Sequence, residues 1–342
     1  MPRWLGRWLL SRGVIACVAA GISTVCLDTA RLAKAEWSAI AEQQVSYTTD
    51  AFQFSSARRL ALSEDPSLPT AVGLGDPEDV IWEPSLEVIR SGTVGMGRNE
   101  LSVKAHGFIY TDKPIFNHGD YRIQDRQWLN KDTSILLRYR YIPNLFLGPN
   151  FERQSGNRTV QEERVTSHNW RAEFERRMNE QLTGTLVTRY GLRFYNEPFA
   201  ERDTTFYSVG PRVNYLPASW IEFELGYLYE RGLADGRQEP QFMDDVSYYL
   251  HFLSFDTELR LMPKLSLSLR YVYVQKNFTS GIMGDTHQGR QDDTHQGRAE
   301  LRYDFAANAA ATLGYQRTQR TSTQATRGFF DNIFSLGGEY RF

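Results

Sequence analysis

The sequence predicts an all-β fold, a transmembrane antiparallel up-and-down β-barrel of about 14 strands, with roughly 12–14 as the range. Three observations carry this. Long segments alternate apolar and polar residues, their connections alternate short and long, and their apolar faces carry aromatic rings near the ends.

The alternation is clearest in "SWIEFELGYLYE" (219–230), where Ile221, Phe223, Leu225, Tyr227 and Tyr229 share one face and Glu222, Glu224, Gly226 and Glu230 the other. "TSILLRYRY" (133–141), "WRAEFERR" (170–177), "LTGTLVTRYGLRF" (182–194), "YSVGPRVNY" (207–215), "LSFDTELRL" (253–261), "LSLSLRYVY" (265–273), "RAELRYDF" (298–305) and "AATLGYQR" (310–317) read alike. A period of two over such lengths makes strands with one apolar face. Short links at 142–144, 178–181, 216–219, 262–264 and 306–309 alternate with polar stretches at 112–132, 154–164, 196–203, 232–246, 279–295 and 320–331. That is a meander with tight turns at one end and long loops at the other. Counting from "ELSVKAHGFIY" (100–110), with "LFLGPNFE" (145–152) included, gives about a dozen strands; "QVSYTTDAFQF" (44–54) and "VIWEPSLEVI" (80–89) add two, with 61–79 between them as a loop.

A soluble sandwich strand also has one apolar face, but it usually runs five or six residues, whereas a tilted strand needs about 9–11 to cross a bilayer. In lipid, closure alone removes the unpaired edges. Rings such as Tyr139, Tyr141, Trp220, Tyr229, Tyr303 and Phe305 fit the two interfacial girdles of such a barrel.

The chain has 342 residues, with 39 Lys+Arg against 41 Asp+Glu, so charge gives no case for nucleic acid as a partner. Arg3, Arg7 and Arg12 precede the uncharged run 13–27, and Ala33-Lys34-Ala35 follows. This is the order of a secretory signal peptide, too short to span as a helix, so residues 1–35 are expected to be removed and 36–342 to form the barrel. Residues 36–79 then hold the first strand plus a loop, or a periplasmic segment. Both cysteines, Cys17 and Cys26, fall in the part removed, leaving no thiol, disulfide or cysteine metal site.

The chain ends on "SLGGEYRF" (335–342), with Phe334, Leu336, Tyr340 and Phe342 on one side. With this ending, the signal segment and the loop asymmetry, the chain resembles the Gram-negative outer-membrane β-barrel proteins, porin-like in type. The resemblance implies that these four residues form the signal read by the barrel-insertion machinery. It also implies short periplasmic turns, long extracellular loops, and lipid and lipopolysaccharide around the barrel.

If the apolar faces meet lipid, the others line a lumen. Parity places Lys104, Arg138, Arg140, Arg171, Arg189, Arg193, Arg212, Arg260, Arg270, Arg298, Arg302 and Arg341 inward, with Glu173, Glu175, Glu222, Glu224, Asp256, Glu258, Glu300, Asp304 and Glu339. A slip of one residue would turn these charges to lipid, where an Arg at mid-depth costs about 2–4 kcal/mol. Such charges make a polar channel wall or merely fill the interior as cross-strand ion pairs, and inward-folding loops or residues 36–60 can plug it.

The sequence DTHQGR occurs at 285–290 and again at 293–298. His287 and His295, with Asp285, Asp292 and Asp293, are weak candidates for a metal; the plain alternative is a tandem duplication in a loop. Asp293 with His295, and Asp244 with Asp245, resemble the Asp-His and Asp-Asp pairs of omptin-type outer-membrane proteases, though the adjacent Asp-Asp departs from a spaced pair. "SHN" (167–169) holds the residue types of an outer-membrane phospholipase, but sequence neighbours on a strand point to opposite faces and cannot form a relay. No cofactor motif is present. The expected function is a porin-like channel for small polar solutes and not an enzyme. The alternatives are a barrel-mouth protease or lipase, and a closed structural or adhesive barrel.

Overall fold

The computed structural model describes residues 35–342, other than 68, 70, 74 and 96. The expected signal segment therefore lies outside the described residues. Fourteen strands among them close into one antiparallel barrel, each paired with its sequence neighbours and the last with the first. They are β1 (Glu36–Thr48), β2 (Asp79–Val94), β3 (Gly97–Tyr110), β4 (His118–Asn130), β5 (Thr133–Phe151), β6 (Val160–Arg177) and β7 (Leu182–Tyr195), then β8 (Thr204–Ala218), β9 (Ile221–Ala234), β10 (Tyr248–Met262), β11 (Leu265–Phe278), β12 (Gln291–Ala306), β13 (Ala309–Ser322) and β14 (Phe329–Arg341). The start of β1 and the end of β14 lie at the short-turn end, where Phe342 donates its amide to the Ala39 carbonyl at 2.9 Å. Phe334, Leu336, Tyr340 and Phe342 all stand exposed on the outer face, as an apolar belt in lipid requires.

The expected strand count is met through two corrections that cancel. The stretch 112–132, expected to be a loop, contains β4. Outward Tyr121 and Ile123 are followed by Asp125 and Gln127, so the apolar period is too weak to see. "IPN" (142–144), expected to be a turn, lies inside β5. The strand passes through it on a bulge between Ile142 and Leu145, with Asn144 at φ 48°.

The expected first strand is also redrawn. β1 stops at Thr48, and residues 51–61 form a helix, α1 (Ala51–Ala61). The Asp50 carboxylate accepts the Gln53 amide at 3.3 Å and caps the helix. Phe54, Ala57 and Ala61 then fall at helical spacing and are completely or almost completely buried. This helix opens the longest connection, 49–78, which folds into the lumen.

Candidate functional site: a plugged lumen

From the long-loop end inward, the lumen is packed in two layers and then opens. The first layer is apolar. Phe54 and Ala57 of α1 pack with Ile81, Phe108, Tyr110 and Ile333 from the walls, Phe54 meeting Phe108 and Tyr110 edge-on. On the far side Leu60 packs into Val187, Leu228, Leu250, Phe252, Val272 and Val274. Expecting every inward position to be polar overlooks this layer. The signal is nevertheless legible on β10, whose inward residues read Tyr248, Leu250, Phe252 and then Ser254, Asp256, Glu258. Where both faces of a strand are apolar, something other than water must fill the inside. Gly232 opposite Tyr248 leaves room for the ring, since a Cβ there would lie 2.3 Å from it.

The second layer is ionic, and it is made by the turn that follows α1. Glu64 takes Arg140 Nη2 at 2.5 Å. Asp65 accepts from Arg193 Nη2 at 2.9 and 3.2 Å, and the Ser63 carbonyl from Arg189 Nη2 at 2.9 Å. Arg193 also donates to Tyr248 Oη at 3.0 Å, and Tyr248 in turn to Glu230 at 2.7 Å. On the opposite wall Arg58 of α1 meets Glu83 at 3.1 Å. Arg270 donates to the Ala61 carbonyl, and Gln296 to that of Ala57 at 2.6 Å.

Below these layers, toward the short turns, lies a cavity of about 520 Å³ roofed by Leu62, Ser63 and Glu64. Its wall carries eleven Lys or Arg side chains and eight Asp or Glu. Arg138, Arg140, Arg171, Arg212, Arg270, Arg298 and Arg302 line it with Glu224 and Glu300. Arg189 and Arg193 are buried against the plug instead. Glu222, Asp256, Glu258 and Arg260 share the inward side by register. The bases are not evenly spread. The register sets Arg122 opposite Arg140, Arg138 opposite Arg171 and Arg171 opposite Arg189, one stripe across β4–β7. Like charges directly opposite one another cost stability. Glu87, Asp120 and Glu173 pair with Arg122, Arg140 and Arg171, but Arg138 Nε finds the Gln124 amide oxygen at 2.8 Å, and Arg189 Nε and Nη1, Arg140 Nη1 and Arg171 Nε meet no acceptor among the described residues.

The two DTHQGR copies come apart. The first lies in the long loop between β11 and β12, and the second inside β12. His295 faces lipid, its Nδ1 2.7 Å from Tyr271 Oη and its ring tilted against Tyr273. His168 with Tyr139 and Tyr141, and His251 with Tyr227 and Tyr229, repeat this arrangement, so these histidines belong to the aromatic girdle. Asp293 also faces outward, on Tyr273 Oη at 2.8 Å, and Asp292 is paired with Arg290. The five-residue metal set and the Asp293–His295 pairing with Asp244 and Asp245 are thus dispersed.

His287 instead meets Asp285 and Asp244, all buried, with candidate ligand atoms within 4.8 Å of one another. Each carboxylate is occupied by protein donors. Asp244 binds Arg202 at 2.7 and 3.1 Å, while Asp285 accepts from Ser280 Oγ at 2.6 Å, the Asp245 amide at 2.8 Å and His287 Nδ1 at 3.0 Å. Burial alone would raise the Asp285 carboxyl, but the bonds from His287 and Ser280 outweigh it and hold it well below the usual range. Such a set ties the long loops together.

Comparison with known proteins agrees with this architecture. Residues 238–342 match the family model described as "Putative beta-barrel porin 2". The outer membrane channel DcaP of Acinetobacter baumannii superposes with a TM-score of 0.54 at 9% identity, over 90% of this chain and 97% of its own. The anion-selective porin from Comamonas acidovorans gives 0.47 at 8%, over 90% and 99%. No curated protein matches in sequence. At such identities the likeness is one of fold, a closed antiparallel β-barrel.

Proposed function

We propose that this chain is a gated outer-membrane channel for small polar solutes, with a preference for anions. The observation that carries it is the cavity of about 520 Å³ whose wall bears a contiguous arginine stripe with unmet guanidinium N–H groups. Oriented N–H donors in a confined polar space attract and desolvate negative charge. The inward residues expected from parity act here as lumen-lining groups and not as covalent catalysts. The dispersal of the Asp-His and Asp-Asp candidates favours transport over a barrel-mouth enzyme. Residues 1–35 serve as the export signal, and Phe334, Leu336, Tyr340 and Phe342 as the insertion signal, with lipopolysaccharide meeting the outer girdle.

The test is single-channel recording of the refolded protein in a planar bilayer under a salt gradient. Discrete steps with a reversal potential of anionic sign are expected. A folded, heat-modifiable barrel without current, or one that selects cations, refutes the reading.

A further inference from the structure

Glu64 and Asp65 are consecutive carboxylates on a turn, and each takes an arginine from a different strand: Arg140 on β5, which Asp120 of β4 also holds from the wall, and Arg193 on β7, which also donates to Ser67 Oγ. Between them, among the described residues, Arg189 holds the Ser63 carbonyl and has two N–H groups unmet, although the residue is 4% exposed. The same stripe continues into the cavity through Arg138 and Arg171. The turn lies across the stripe as a dianion would. We infer that Arg140, Arg189 and Arg193 form a binding site for a solute carrying two carboxylates, and that Glu64 and Asp65 occupy it as internal stand-ins in the closed channel. The inference rests on the channel reading for its role in transport, though not for binding itself.

A dicarboxylate in the cavity meets Arg138 and Arg171 first and then exchanges with Glu64 on Arg140. The exchange replaces one carboxylate–guanidinium contact by another, so no buried charge is left unpaired on the way. Displacing Glu64 and Asp65 frees the turn while α1 keeps its apolar contacts. Opening thereby becomes more frequent in the presence of solute.

The test uses the full refolded protein, wild type and E64Q/D65N, with succinate as the dicarboxylate probe and acetate as control. Succinate should bind the double variant about tenfold more tightly by calorimetry, because no internal carboxylate competes, and acetate should show no such gain. In bilayers the variant should stay open without succinate, whereas the wild type opens more often when succinate is added. Arg189→Gln leaves both loop ion pairs in place and should weaken succinate binding, which covers the case of a double variant that does not fold. Equal succinate affinity in folded wild type and folded variants overturns the inference. Tighter succinate binding without current from any form upholds the site and removes the channel; current in every form, indifferent to succinate and to the substitutions, does the reverse.

Discussion

The helix α1 and the turn after it are adjacent in sequence and lie in the same lumen, yet they are held by different balances of forces. α1 adds a dry layer, its Phe54 and Ala57 fully buried among wall residues, to the polar contacts of Arg58 with Glu83 and Arg59 with Asp120. The turn 63–65 is held by arginines through ion pairs and a carbonyl contact. Apolar contacts are lost only by separation into water, whereas an ion pair can be exchanged for another of the same kind. A plug built this way has a permanent part and a replaceable part.

Four changes break or sharpen that contrast. Replacing residues 51–67 with a short Gly-Ser linker removes both parts and should raise single-channel conductance several-fold, since it joins the plugged layers to the cavity of about 520 Å³ already open below them. Phe54→Ala attacks the permanent part alone. A buried Phe→Ala change costs about 3–5 kcal/mol, so the variant should flicker to a larger conductance without any solute. Arg171→Gln leaves both parts of the plug seated and thins the stripe, so the reversal potential should move toward zero with little change in gating.

The smallest effect is one of pH. Burial raises the Asp50 carboxyl to about 6, against the bonds it accepts from the Gln53 and Phe52 amides. A carboxyl raised in the docked state binds its proton more tightly there than when released, so docking strengthens as pH falls through about 6 and levels off near the ordinary carboxylate value. Closed time should therefore lengthen modestly from pH 7 to pH 5, and Asp50→Asn should weaken the trend.

The sequence disclosed the wall better than its contents. Period-two alternation ties together the residues that share a side of each strand, because a slip would put Arg138 or Glu224 into lipid. β4 escaped because its outward face is half polar, and β5 was divided because Pro143 and Asn144 read as a turn where the chain merely bulges. The helix was concealed by Phe52 and Phe54, which alternate as strand residues would; their parity is out of step with Val45 and Tyr47, and with the capping carboxylate of Asp50 it marks the change. The ionic turn was not legible at all. Glu64 and Asp65 meet Arg140 and Arg193 from far along the chain, and a contact of that kind has no local period.

The plug also hangs from the barrel's seam. Thr48 Oγ1 and the Asp50 amide both bond Asp331 of β14, at 2.7 and 3.2 Å, and the Thr49 amide bonds the Asn332 carbonyl at 3.0 Å. β1 and β14 come from opposite ends of the chain, so their pairing is the one contact between strands that no hairpin can form. In terms of assembly, the segment that must end up inside is tethered at the last gap to close. It can swing in through an open sheet, with no need to thread a finished ring.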